Sequence, residues 1–154
     1  MIYILYESHT GFTKKYAEGM AEALCGEAVP LKQYRETLHG DADCLICGGG
    51  VHGTAINGLR KFERIRKVHP EIPVVYFATG LRKANEETIR LLQQYNFRAD
   101  NEIPFYYFRG GIDLEHMEQA QRMLLFALKS MLSRKNRRSE DEQELLKSLS
   151  FSGD

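Results

Sequence analysis

Four short apolar runs, Ile2–Glu7, Asp43–Gly48, Pro73–Ala78 and Ile103–Phe108, are each followed by a stretch with helical periodicity. Runs of this length suit strands better than buried helices, and Val74-Val75-Tyr76-Phe77 is β-branched and aromatic. A weaker strand, Ala28–Gln33, follows the first helix; Pro30 removes an amide there and places it near a sheet edge. The helices carry one apolar stripe each. Tyr16, Ala17, Met20, Ala21 and Leu24 share a stripe between Thr13 and Gly26. Leu59, Phe62, Ile65 and Arg66 fall at helical spacing between Asn57 and Val68, and Ile89, Leu92 and Tyr95 between Asn85 and Tyr95. A long helix over Leu114–Ser133 presents Met117, Leu124 and Leu128. Strand–helix alternation with short connections predicts an α/β fold: a doubly wound, five-stranded parallel sheet with helices on both faces. The ligand of such a sheet sits outside the carboxyl ends of its strands, where strand order reverses.

A chain of 154 residues suffices for one domain, expected over residues 1–133. Residues 134–154 differ in character. Arg134–Arg138 is a basic connector, and Ser139-Glu140-Asp141-Glu142 is a capping box opening a short amphipathic helix. Leu145, Leu146 and Leu149 line one side of that helix, which is either a solvated tail or a self-association surface for a homodimer. The formal net charge of zero gives no push toward nucleic acid. No segment approaches the roughly 20 apolar residues of a membrane helix, and the N-terminus lacks a basic leader region, so a cytoplasmic location is expected. Cys44-Leu45-Ile46-Cys47 spells C-x-x-C, but residues three apart on a strand face opposite ways, which separates the two sulfurs by the sheet. The histidines His9, His39, His52, His69 and His116 form no close pair for zinc.

Ser8-His9-Thr10-Gly11-Phe12-Thr13 links the first strand to the first helix. A helix N-terminus offers unpaired amides and partial positive charge, which suit a phosphate. Three hydroxyls and a glycine are interleaved here without the lysine of an ATP-type P-loop, so neutral donors must serve. Thr13 is alternatively a simple N-cap. The pattern S-x-T-G-x-T in this position resembles the FMN phosphate loop of flavodoxins, and the resemblance in element order extends over roughly Met1 to Ser133. It implies the flavodoxin-like strand order 2-1-3-4-5 and FMN as cofactor. Ser8, Thr10, Gly11 and Thr13 match the motif, while His9 and Phe12 fill its variable positions and contribute amides.

Gly48-Gly49-Gly50-Val51-His52-Gly53 also satisfies G-x-G-x-x-G, the dinucleotide fingerprint. That motif requires an acidic residue ending the next strand, and Pro73–Ala78 ends in Thr79-Gly80 instead. By the resemblance, Gly49, Gly50, Val51, His52 and Gly53 form the first loop flanking the flavin ring. His52 is either a ring stacked there or a surface histidine. Thr79, Gly80, Leu81 and Arg82 form the second flanking loop, which lacks the usual stacking tyrosine and carries Arg82 and Lys83. Cations near the flavin raise its reduction potential by favouring the anionic reduced form; an exposed basic loop is the alternative.

Gly48–Lys61, Pro73–Lys83 and Ile103–Asp113 are similar to the flavodoxin-like group that includes menaquinone-dependent protoporphyrinogen dehydrogenase. Its members use FMN to take electrons from a reduced tetrapyrrole and pass them to a quinone. Arg109, after the fifth strand, is a candidate for a substrate carboxylate, or it pairs with Asp113 or Glu115. A phosphoacceptor receiver domain shares the fold but needs an aspartate where this chain has Gly48. No side chain reads as a general acid or base, so the cofactor would carry the chemistry. The expectation is an FMN-dependent oxidoreductase; the rival is an electron carrier whose only partner is another redox protein.

Overall fold

The computed structural model describes residues 1–9, 11–98 and 102–110, together with Arg122. Five parallel strands form its sheet: β1 (Ile2–Glu7), β2 (Glu27–Pro30), β3 (Cys44–His52), β5 (Val74–Gly80) and β6 (Phe105–Arg109), in the order β2-β1-β3-β5-β6. A two-residue strand, β4 (Ala55–Ile56), folds back antiparallel on the end of β3. The described helices are α1 (Phe12–Leu24), α2 (Glu36–His39), α3 (Leu59–Val68) and α4 (Glu86–Phe97). The expected doubly wound flavodoxin-like order is present, counted without β4. The helix expected over 114–133, apart from Arg122, and the tail at 134–154 lie outside the described residues.

The sheet is buried on both faces because its central strands are apolar at successive positions. Ile2, Ile4, Cys44, Ile46, Val75 and Phe77 pack on one face with Tyr16, Ala17 and Met20 of α1. Leu5, Leu45, Cys47, Tyr76 and Ala78 pack on the other with Phe62 of α3 and Leu92 of α4. Cys44 and Cys47 therefore lie on opposite faces, as alternation requires. Burial pushes the Cys47 thiol well above its ordinary pKa, which keeps it protonated and unreactive. No helix among the described residues is long and apolar enough to cross a membrane.

Several boundaries differ from the sequence reading, each for a local reason. Pro30 ends β2, having no amide to continue the ladder, and Leu31–Gln33 form a 3-10 turn that drops Leu31 into the core. The strand expected over Ala28–Gln33 is thus a four-residue edge strand over Glu27–Pro30. β3 does not stop at Gly48 but runs on to His52, since Gly48, Gly49 and Gly50 keep pairing with Phe77, Ala78 and Thr79. β5 likewise continues through Thr79-Gly80, paired with Phe108 and Arg109. α3 begins at Leu59 rather than Asn57 because Gly58 holds a left-handed φ of 84° at its N-cap. α4 extends to Phe97, which is buried, whereas Tyr95, expected on the core face, is 58% exposed. Asn85 caps α4 by accepting the Thr88 amide at 2.9 Å.

Gly48 is set by packing. A Cβ at this position would collide with the ring of Phe77, itself fully buried between strands and α1. Gly48→Ala is expected to destabilise the fold by about 1–3 kcal/mol through overpacking. Urea unfolding of the two proteins measures that difference as a lower midpoint at unchanged slope.

Candidate functional site

The carboxyl ends of the central strands converge on a cavity of about 520 Å³. Its described lining comes from His9 and Phe12 after β1, Gly50, Val51 and His52 at the end of β3, Asn57 beyond β4, Thr79, Gly80 and Leu81 at the end of β5, and Gly110 beyond β6. The cavity thus spans the boundary between β1 and β3, where strand order reverses. No Asp, Glu, Lys or Arg stands among those lining residues. Its size falls in the range of about 300–1,000 Å³ usual for small-molecule sites.

The turn from β1 into α1 is held by its own side chains. The Gly11 amide donates to the Ser8 hydroxyl at 3.1 Å, and the Lys15 amide donates to the Gly11 carbonyl at 3.1 Å. Gly11 is the N-cap of α1 with φ of 91°, and no side chain caps the helix. Thr13 is therefore not the cap. It is 1% exposed, and its hydroxyl lies 2.7 Å from that of Thr79. This buried pair fastens the first turn of α1 to the end of β5. A hydroxyl has one donor and two acceptor positions, so both retain capacity for a further partner. Phe12, expected to offer only an amide, also brings its ring to the cavity wall, where it lies against Gly110. Thr10 lies outside the described residues.

The second wall is a hairpin rather than a loop. Val51 and His52 pair with Ile56 and Ala55, and Gly53 makes the turn at φ of 65°. Gly49 has no room for a side chain, because the Asn57 carbonyl occupies that position, and the Asn57 amide donates to the Gly50 carbonyl at 2.9 Å. Asn96 of α4 staples the hairpin from behind. It donates to the Thr54 carbonyl at 2.8 Å and accepts the Ile56 amide at 3.0 Å. The glycine pattern of the dinucleotide fingerprint thus runs along a strand into a hairpin turn, not through a strand-to-helix turn. His52 is exposed and borders the cavity.

Gly80 and Leu81 form the third wall. A Cβ on Gly80 would meet the Tyr107 phenol at 2.8 Å; its absence lets that hydroxyl donate to the Arg82 carbonyl at 2.9 Å. Burial raises the Tyr107 pKa, so the donor keeps its proton. The Gly110 amide closes the rim onto the Gly80 carbonyl at 2.6 Å. Leu81 is 82% exposed at the mouth, and the side chains of Arg82 and Lys83 are exposed beside it.

Of the residues singled out in the sequence, His9, Phe12, Gly50, Val51, His52, Thr79, Gly80 and Leu81 line the cavity. Ser8, Gly11, Thr13, Gly49 and Gly53 shape it without lining it, and Arg82 stands outside its wall. Arg109 is exposed at the end of β6, where its carbonyl accepts the Tyr16 hydroxyl at 3.2 Å. Asp113 and Glu115, its alternative partners, lie outside the described residues. Asn57, Asn96 and Tyr107 were missed. Asn57-Gly58 is an N-G turn signal that places Asn57 beside the site; the tethers from Asn96 and Tyr107 arise from tertiary contact alone.

The Thr13–Thr79 pair yields a sharp expectation. Thr13→Val or Thr79→Val alone leaves one buried hydroxyl unsatisfied, a cost of about 1–3 kcal/mol. The double substitution removes both polar groups and is expected to cost less than the sum of the singles. A double-mutant cycle by urea unfolding measures the coupling.

Comparison with known proteins agrees with this architecture. Residues 3–139 match the family described as "Flavodoxin domain". A comparison with curated protein sequences finds no match. Among solved structures, a flavodoxin from the domain Archaea superposes with a TM-score of 0.55 at 10% identity, covering 79% of this chain and 92% of that one. A short-chain flavodoxin associated with a non-canonical PDU bacterial microcompartment gives 0.59 at 13% identity, covering 84% and 97%. The Trp repressor binding protein of Bacillus subtilis gives 0.55 at 14% identity, covering 90% and 100%. At these identities the structures speak for the fold, and the match along most of the sequence speaks for the family: the chain belongs to the flavodoxin-domain family.

Proposed function

We propose that the chain binds FMN and acts as a redox protein. The observation that carries this reading is the cavity at the strand ends, walled by backbone, apolar and neutral polar groups with no charged residue in its described lining. A flat, largely uncharged ring system suits such walls. The turn into α1 suits the phosphate: among the described residues, chain neighbours aside, no atom lies within 4 Å of where a Gly11 side chain would begin, which leaves space for a ligand there. Ser8, Thr10, Gly11 and Thr13 would hold the phosphate, with amides from His9 and Phe12. Gly49–Gly53 and Thr79–Arg82 would flank the ring. When bound, FMN supplies hydride and electron transfer. The chain's own residues orient the ring and exclude water, with Thr13–Thr79 and Tyr107–Arg82 holding the walls in place.

Apo-protein titrated with FMN should bind one flavin per chain with quenching of flavin fluorescence. Gly50→Leu adds bulk to the cavity where a Cβ makes only ordinary contacts, 3.6 Å from the Thr13 hydroxyl and 3.7 Å from the Asn57 side-chain nitrogen Nδ2. It is expected to weaken FMN binding at least tenfold, or about 1.4 kcal/mol, with unfolding little changed. Native protein that takes up no FMN would overturn the reading.

Within that reading, the favoured activity is a quinone-linked dehydrogenase of the protoporphyrinogen type, taking electrons from a tetrapyrrole-like donor. The basic segment Arg82-Lys83 at the mouth supports it, since cations there favour a reduced, anionic flavin. A second reading, a carrier that delivers electrons to a partner protein, is favoured by the 82% exposure of Leu81 at the same mouth. Turnover of protoporphyrinogen IX with a menaquinone analogue is expected of the enzyme. Rapid exchange with redox proteins and no such turnover is expected of the carrier.

A further inference from the structure

A second cleft, about 480 Å³, opens beside the proposed flavin cavity and shares His9 and Asn57 with it. Its apolar lining includes Leu31 and Ile56, both buried, and its cations are Arg60, Lys61 and Arg64 of α3. Arg60 and Arg64 are one helical turn apart and repel each other. Among the described residues none of the side chains of Arg60, Lys61 and Arg64 has a hydrogen bond or ion pair. Glu63, the acid within α3, is already engaged, with Arg66 at 3.1 Å and the Tyr76 hydroxyl at 2.6 Å. The one carboxylate in the cleft's described lining is Glu7, against three cations.

We infer that this cleft is the seat of an amphipathic organic anion, an apolar body lying on Leu31 and Ile56 with its carboxylate or sulfonate among Arg60, Lys61 and Arg64. The observations select that class. An inorganic ion would leave the apolar floor wet, and a neutral ring would leave the cations without partners. Guanidinium groups grip carboxylates in a planar, two-pronged way. The shared wall at His9 and Asn57 places the ligand beside the flavin cavity, so it would be the electron donor or acceptor; this role rests on the FMN reading.

The test uses FMN-loaded protein and two probes of one shape, anthraquinone-2-carboxylate and anthraquinone-2-carboxamide, followed by calorimetry. The native protein is expected to favour the carboxylate by about tenfold at low salt, a sum of modest exposed ion pairs. The triple substitution Arg60→Gln, Lys61→Gln, Arg64→Gln should abolish that preference and leave FMN affinity unchanged. Lys67→Gln, a charge removed farther along the same helix, should keep it. Equal binding of the two probes, binding of neither, or a preference that survives the triple substitution would overturn the inference. Repeating the titrations without flavin separates the two ideas. A carboxylate preference in a chain that takes up no FMN leaves the cleft standing and removes the redox reading.

Discussion

The candidate site depends on the continuation of β3 through Gly48, Gly49 and Gly50. Glycine ordinarily weakens a strand, for it has no side chain to pack and more freedom to lose. Here the neighbours occupy the vacated space: the Phe77 ring at Gly48 and the Asn57 carbonyl at Gly49. The ladder to β5 therefore stays intact to Gly50, and the chain leaves the sheet only at the Val51–Ile56 hairpin. A strand bearing side chains at these positions would have to end sooner or stand away from β5. In either case the cavity would lose its floor.

The walls above that floor are joined pairwise. Thr13 binds the α1 turn to the end of β5, Gly110 binds the β6 loop to Gly80, and Tyr107 binds the β5 loop from beneath. Asn96 performs the same service for the hairpin. Each tether uses a neutral group, buried or partly buried, where an unsatisfied partner is costly.

The core strands and the hydroxyl-rich turn were legible because both are local. Apolar runs announce strands, and Ser8–Thr13 sits where a strand meets a helix whatever surrounds it. The element ends were less legible, because tertiary neighbours set them. Nothing local tells that Gly48 must face a phenylalanine ring, so in the sequence alone these glycines read as the end of the strand. Pro30 did announce an edge, but its effect on Leu31 depends on a core that only the fold supplies. Tyr95 and Phe97 show the same limit. Helical spacing admits either as a core residue, and packing against Tyr76 and Phe105 selects Phe97. The distribution of roles at Thr13 was also out of reach, since its partner lies 66 residues away.

Charge is arranged differently from the core, and this bears on how partners are chosen. The formal net charge is zero, so the molecule has little long-range field to attract an ion of either sign. Around the candidate cavity the described cations are nevertheless clustered: Arg60, Lys61 and Arg64 stand on one side of it, and Arg82 and Lys83 stand at its mouth. At physiological ionic strength, exposed charges act over about 8 Å. Such clusters cannot steer a partner from afar, but they discriminate at contact. In the proposed function a cavity with no charged residue in its described lining, flanked by local cations, would divide the work: the interior would accommodate a ring without preference for charge, and the rim would discriminate among the molecules that reach it.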